Sequence, residues 1–209
     1  MIETHRDSPQ KPWTYAQLDA YQRKIAKNIQ QQTNTPGVLI LSEVAPVITL
    51  GHRIRKNTNL FGPLPVYPTD RGGLETYHGP GQWLIFPVDH LTNLTGDSIG
   101  VRLVVHGLLE IALELGKSYN SKAEIKKNGS ATGCWLPQGK YASVGIHIEK
   151  GILLHGLAIN IFQTQNSFLG IRPCGLDASP AYLLGTANIQ EFLNIRDKLQ
   201  KWTLQKFWQ

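Results

Sequence analysis

Two extended runs, residues 141–148 and 152–162, are separated only by Glu149, Lys150 and Gly151. A connection that short lets the two pair as an antiparallel hairpin. The chain is thereby committed to a sheet. Helical patterns flank it without a regular βαβ rhythm. Thr14 with Gln17 forms a capping box, after which Leu18, Tyr21, Ile25 and Ile29 recur at helical spacing up to Pro36-Gly37. A second helix is marked by Val101, Val104, Val105, Leu108, Leu109, Ala112 and Leu115 and is expected to stop at Gly116. A last one carries the core stripe Phe192, Ile195, Leu199 and Trp202. Val38-Leu39-Ile40-Leu41, Val47-Ile48-Thr49-Leu50 and Trp83-Leu84-Ile85-Phe86 read as further buried strands, and residues 53–68 read as an irregular loop. These elements predict an α+β fold, a mixed β-sheet flanked by helices in a single domain over residues 1–209.

Composition removes several classes of function. Hydrophobic residues make up 41% and charged residues 17% of the 209, and no run approaches the eighteen apolar residues a membrane span needs. The first thirteen residues are too polar for a signal or transit peptide, so the expected location is cytoplasmic, away from the membrane. Two cysteines forty residues apart fit neither a disulfide framework nor a zinc site, and no metal or cofactor is expected. The formal charge of +6 suits an acidic partner. Its basic residues form only modest clusters, at Arg53, Arg55, Lys56 and at Lys117, Lys122, Lys126, Lys127, with no nucleic-acid motif beside them. Nucleic acid is therefore not the expected partner.

The chemistry concentrates in Arg71-Gly72-Gly73-Leu74-Glu75-Thr76-Tyr77-His78-Gly79-Pro80-Gly81-Gln82. Its glycines permit close backbone approach to a ligand, and Arg71, Thr76, Tyr77 and His78 supply polar contacts that an ordinary turn does not need. Cys174, between Pro173 and Gly175, sits in a context that favours an accessible loop, whereas Cys134 beside Trp135 reads as a small buried hydrophobe. Lys140, at the head of a strand, would on its own be read as a solvated cation.

Taken together, R-G-G-x-x-T-Y-H-G-P-G-Q, the run from Lys140 through Ser143-Val144-Gly145, the run His155-Gly156-Leu157-Ala158-Ile159-Asn160, and Pro173-Cys174-Gly175 resemble the octanoyltransferase family, also called lipoate-protein ligase B. The likeness runs from Glu43 and Pro46 to the Cys174 loop. It implies a fold related to biotin-protein and lipoate ligases. It also implies transfer of an octanoyl group from acyl carrier protein, where it is carried on phosphopantetheine, to one lysine of a lipoyl domain. Such domains occur in the E2 subunits of 2-oxoacid dehydrogenases and in the H protein of the glycine cleavage system. By the same resemblance Cys174 is the nucleophile that carries the acyl group as a thioester, and Lys140 is its acid-base partner. Arg71 to His78, Ser143 to Gly145 and Gly156 to Ala158 line the acyl site. His78 and His155 are either participants or structural histidines, Arg71 either touches the ligand or orders its loop, and Asn160 is expected to brace neighbouring backbone. An ATP-dependent ligase on the same fold is the alternative, and a basic binding module without turnover is a third.

Overall fold

The computed structural model describes residues 3–6, 12–32, 35–54, 63–165, 167–168 and 179–208. Ten strands and four helices are named in chain order: β1 (Glu3–Arg6), α1 (Tyr15–Gln31), β2 (Val38–Ser42), β3 (Val47–Leu50), β4 (Val66–Pro68), β5 (Glu75–His78), β6 (Gln82–Val88), α2 (Leu91–Thr95), α3 (Val101–Tyr119), β7 (Glu124–Lys126), β8 (Gly133–Leu136), β9 (Gly139–Glu149), β10 (Ile152–Asn160) and α4 (Ile189–Phe207). Seven strands form one sheet in the order β1-β2-β6-β10-β9-β8-β7, and three form a second in the order β4-β3-β5. Both are mixed, with β1 parallel to β2, β4 parallel to β3, and the other pairs antiparallel. The expected α+β class holds.

Alternation along the central strands divides the interior in two. Leu39, Leu41, Trp83, Ile85, Leu153, Leu157 and Ile159 join one core with α3 and α4, while Val38, Ile40, Leu84, Phe86, Ile152 and Leu154 join the other with α1. Successive side chains of a strand point to opposite faces, so a strand covered on both sides reads as a continuous apolar run, as β2 and β6 do. The hairpin forms as expected, with Ile152 opposite Glu149 and a turn in which Lys150 and Gly151 have φ of 49° and 81°. The predicted capping box closes on α1: the Thr14 hydroxyl accepts from the Gln17 N–H, and the Gln17 side chain accepts from the Thr14 N–H.

Two expectations fail. Gly116 does not end α3, which continues to Tyr119. A Cβ there would lie 2.1 Å from the Tyr141 hydroxyl, which donates to the Ala112 carbonyl at 2.8 Å, so Gly116 makes room for a buried tyrosine rather than capping a helix. The stretch from Arg53 is also not wholly irregular: Val66–Pro68 pairs with β3, a length too short for periodicity to reveal.

Candidate active site

A buried arginine builds the glycine-rich turn. The Arg71 guanidinium donates from Nη2 to the Thr49 carbonyl and hydroxyl, both at 2.8 Å, and from Nη1 to the Gly72 carbonyl at 3.0 Å. Gly73 has φ of 95°, a conformation open to glycine, and the turn is fastened by the Gly72 N–H on the Ile146 carbonyl at 2.9 Å and the Gly51 N–H on the Leu74 carbonyl at 3.0 Å. Of its two expected roles, Arg71 fills the loop-ordering one, and its side chain also forms part of the wall beside Gly145.

Beneath this turn lies a narrow slot of about 50 Å³, opening beside a wider mouth of about 320 Å³. Ser143 faces Ala158 and Gly145 faces Gly156 across the β9–β10 ladder, so small residues floor the slot. Arg71, Gly72, Gly73, Leu74, Thr76, His78, Ser143, Val144, Gly145, Gly156, Leu157 and Ala158, all named from the sequence, line it together. Glu75 and Tyr77 do not. They alternate with Thr76 and His78 along β5 and point away, which the period of two along that strand could have indicated. Tyr77 packs instead against Phe168, ring centroids 5.2 Å apart. Two lining residues were missed, Tyr15 at the start of α1 and Phe86 of β6, because both read as ordinary core aromatics.

Lys140 lines the mouth. Far from solvated, it is 6% exposed, and its side chain runs over Gly133, where a Cβ would lie 2.3 Å from Cε and 3.1 Å from Nζ. Its backbone is fixed on both sides, the N–H donating to the Ser179 carbonyl at 3.2 Å and the carbonyl accepting from the Ala181 N–H at 2.9 Å. Asn160 braces this junction as expected: Nδ2 donates to the Ala181 carbonyl at 3.2 Å and Oδ1 accepts from Gln82 Nε2 at 2.8 Å. Cys174, with residues 169–178, lies outside the described residues. Cys134 is the buried hydrophobe expected, fully enclosed, its thiol donating to the Leu109 carbonyl and pushed up by burial to about 12. A thiol in that state is no nucleophile. Arg53 also lines the mouth, while Arg55 and Lys56 lie outside the described residues.

The two histidines are fixed by their partners. Gln82 uses its amide N–H groups on the Tyr77 carbonyl and on Asn160, so its oxygen accepts from His78 Nδ1 at 2.6 Å. Burial, with the Arg71 guanidinium adding to it, pushes His78 down to about 3, and the ring is neutral at pH 7. His155 has φ of 59° and is fully buried; Leu154 packs beside α1, and this backbone turn brings the next side chain to α1 as well. Its Nδ1 receives the Tyr15 hydroxyl at 3.1 Å and Gln22 Nε2 at 3.2 Å, which leaves Nε2–H to donate to Asp70 at 2.8 Å. Burial lowers the His155 pKa against the pull of Asp70, and we assign the neutral ring because both Nδ1 neighbours are donors. Asp70 is held well below the usual carboxylate range by that hydrogen bond, with the Arg23 guanidinium at 2.8 Å assisting. Asp70, His147 and Glu149 bring ligand atoms within 4.8 Å of one another, but the Arg23 guanidinium already contacts both carboxylates, a poor setting for a cation.

The family model described as the lipoyl protein ligase A/B catalytic domain matches residues 14–209. An octanoyltransferase of Magnetococcus marinus is 34% identical over 189 residues, covering 90% of this chain and 84% of that protein. One from Alkalilimnicola ehrlichii is 38% identical over 143 residues, covering 68% of this chain but only 64% of its own length. Among solved structures, lipoate-protein ligase A bound with ATP is similar with a TM-score of 0.69 at 15% identity, over 98% of this chain and 84% of that one. The bipartite lipoate protein ligase of Thermoplasma acidophilum gives 0.61 at 13%, over 98% and 82%. At such identity these structures establish the fold alone. Carried by the sequence match over nearly its whole length, the chain belongs to the lipoyl protein ligase A/B catalytic domain family and, among its members, to the octanoyltransferases.

Proposed function

We infer that this protein moves an octanoyl group onto a lysine of lipoyl domains, the acyl group travelling as a thioester on Cys174, and that one domain carries the whole reaction. The observation that supports this most is the buried Lys140 ammonium at the mouth of an apolar, glycine-walled slot. Ser179, five positions after Cys174 in the sequence, is bonded to the Lys140 backbone. In this reading the acyl donor is octanoyl acyl carrier protein in the cytoplasm, and the acceptors are the lipoyl domains of 2-oxoacid dehydrogenase E2 subunits and the glycine cleavage H protein.

A free thiol of pKa about 8.5 is a few per cent thiolate at pH 7, so a cation beside it raises the reactive fraction. The Cys174 thiolate attacks the donor's carbonyl carbon, a new C–S bond forms, the bond to pantetheine breaks, and the departing thiolate takes a proton from Lys140. Lys140, now the free amine, accepts a proton from the incoming lysine, whose pKa of about 10.4 otherwise keeps it charged. That amine attacks the acyl-enzyme and leaves an amide with the thiol restored. Backbone N–H groups of the glycine-rich segments offer the oxyanion donors. Thioester exchange is nearly isoenergetic and the amide lies downhill, so no nucleotide is needed. The ligase alternative rests on likeness of fold.

Mixing the protein with octanoyl acyl carrier protein should give, by intact mass, a species heavier by one octanoyl group, with the adduct mapping to Cys174 and absent from Cys174→Ala. An adduct on Cys134, or a requirement for ATP, would overturn this reading.

A further inference from the structure

The slot has two unlike ends. Lys140 lines the mouth and not the inner slot, while Tyr15, Phe86 and His155 line the inner slot and not the mouth. Those three are 2%, 3% and 0% exposed, so the inner end is blind. We propose that the Tyr15 ring is the stop that sets the length of acyl chain this protein accepts, an inference that rests on acyl transfer at Lys140 and Cys174.

The floor leads from one end to the other. Gly133, over which the Lys140 side chain lies, pairs with Ser143, and His155, which holds Tyr15, pairs with Ile146. Three residues along β9 and two strand spacings, from β8 to β10, separate the two ends, about 10 Å in each direction at ~3.4 Å per residue and ~4.8 Å per strand. An acyl chain that enters beside Lys140 and follows the small residues of the floor meets the Tyr15–His155 layer.

The stop is also rigid. The Tyr15 ring lies parallel to His78, centroids 5.3 Å apart at 11°, and tilts against Tyr67 at 5.5 Å. Its hydroxyl donates to His155 Nδ1, and His155 is itself held by Gln22 and by the Asp70 carboxylate. Swinging the ring aside to admit a longer chain would take a donor from a fully buried imidazole, a cost no added methylene returns. Phe86 closes the side of the same layer, its ring edge-on to His155 at 5.7 Å.

The test is a competition: equal amounts of hexanoyl, octanoyl, decanoyl and dodecanoyl pantetheine thioesters, with the adduct read by intact mass. Wild type should favour octanoyl. Tyr15→Ala and the bulkier Tyr15→Leu should raise decanoyl and dodecanoyl loading relative to octanoyl by about tenfold or more, the scale of one or two methylenes in an apolar pocket. Tyr15→Phe, which keeps the ring and its packing against His78 and Tyr67 but not the hydroxyl's hold on His155, should leave the ratio closer to wild type than to Tyr15→Leu. Tyr15→Leu serves if Tyr15→Ala does not fold. Either variant loading acyl groups with the wild-type length preference overturns the stop. A wild-type protein that loads no acyl group at all overturns the transfer reading, and the stop with it.

Discussion

The mouth and the blind end of the slot treat charge in opposite ways. At the mouth the Lys140 ammonium lies beside walls of glycine and a turn built of backbone, where the proposed acyl transfer needs it to give up and regain a proton. At the blind end Tyr15, Gln22, His155, Asp70 and Arg23 satisfy one another in a closed chain of hydrogen bonds, and a buried network so satisfied holds its shape. In the proposed reaction one end must change its protonation, while the other is built to resist doing so. Within a single cleft, burial alone does not mark a titratable group as catalytic; groups that satisfy one another in a network hold their protonation.

The sharpest way to break this contrast is to keep the charge at the mouth while removing its ability to change. Lys140→Arg retains a cation but cannot release a proton at neutral pH. Discharge of a preloaded octanoyl-enzyme onto lipoyl domain should fall by roughly 10²-fold or more, as should that of Lys140→Met. Near wild-type discharge in Lys140→Arg would shift the acid-base role to another group. The second probe is pH. His78 is held neutral down to about 3, against an unfolded value near 6.5, so below 6.5 the unfolded chain binds a proton that the folded one refuses. Stability should therefore be present above 6.5 and be lost by ~1.4 kcal/mol per pH unit as pH falls toward 3. In His78→Gln that slope, measured by urea unfolding at several pH values, should flatten. The smallest effect is expected at Asp70. Asp70→Asn keeps an acceptor for His155 while setting an amide NH2 against Arg23, and because the group is a third exposed and screened by water, the cost should be about 1 kcal/mol. Octanoyl turnover should change less than about twofold. A loss of turnover as large as that of Lys140→Arg would place Asp70 in the chemistry and dissolve the contrast.

Much of the mouth was legible in the sequence because its chemistry is local. Glycines that let chain segments meet, and a cap three residues long, leave marks at fixed spacing. The blind end left none. Tyr15, Asp19 and Gln22 sit on α1 and His155 on β10, more than 130 positions away, and a polar residue on the inner face of a helix looks like a break in its apolar stripe until its partner is known. His155 itself was visible, but not its left-handed backbone, which glycine would have announced and histidine does not. Gly116 misled for the converse reason: near a helix end glycine signals a stop, and only the position of Tyr141 reveals that it makes space. Strand order was likewise beyond local pattern, since β10 enters between β6 and β9.

That insertion bears on how the protein is made. Residues 84–88 pair on one side with 38–42, already synthesised, and 82–85 pair on the other with 157–160, which begin 69 positions after Val88. At ~5–20 residues per second the ribosome needs about 3 to 14 s to deliver them. Throughout that interval the strand Gln-Trp-Leu-Ile-Phe-Pro-Val has one side without its native partner, a run apolar enough to seek another chain. A nascent chain stalled before residue 152 should be the form of this protein most dependent on chaperones.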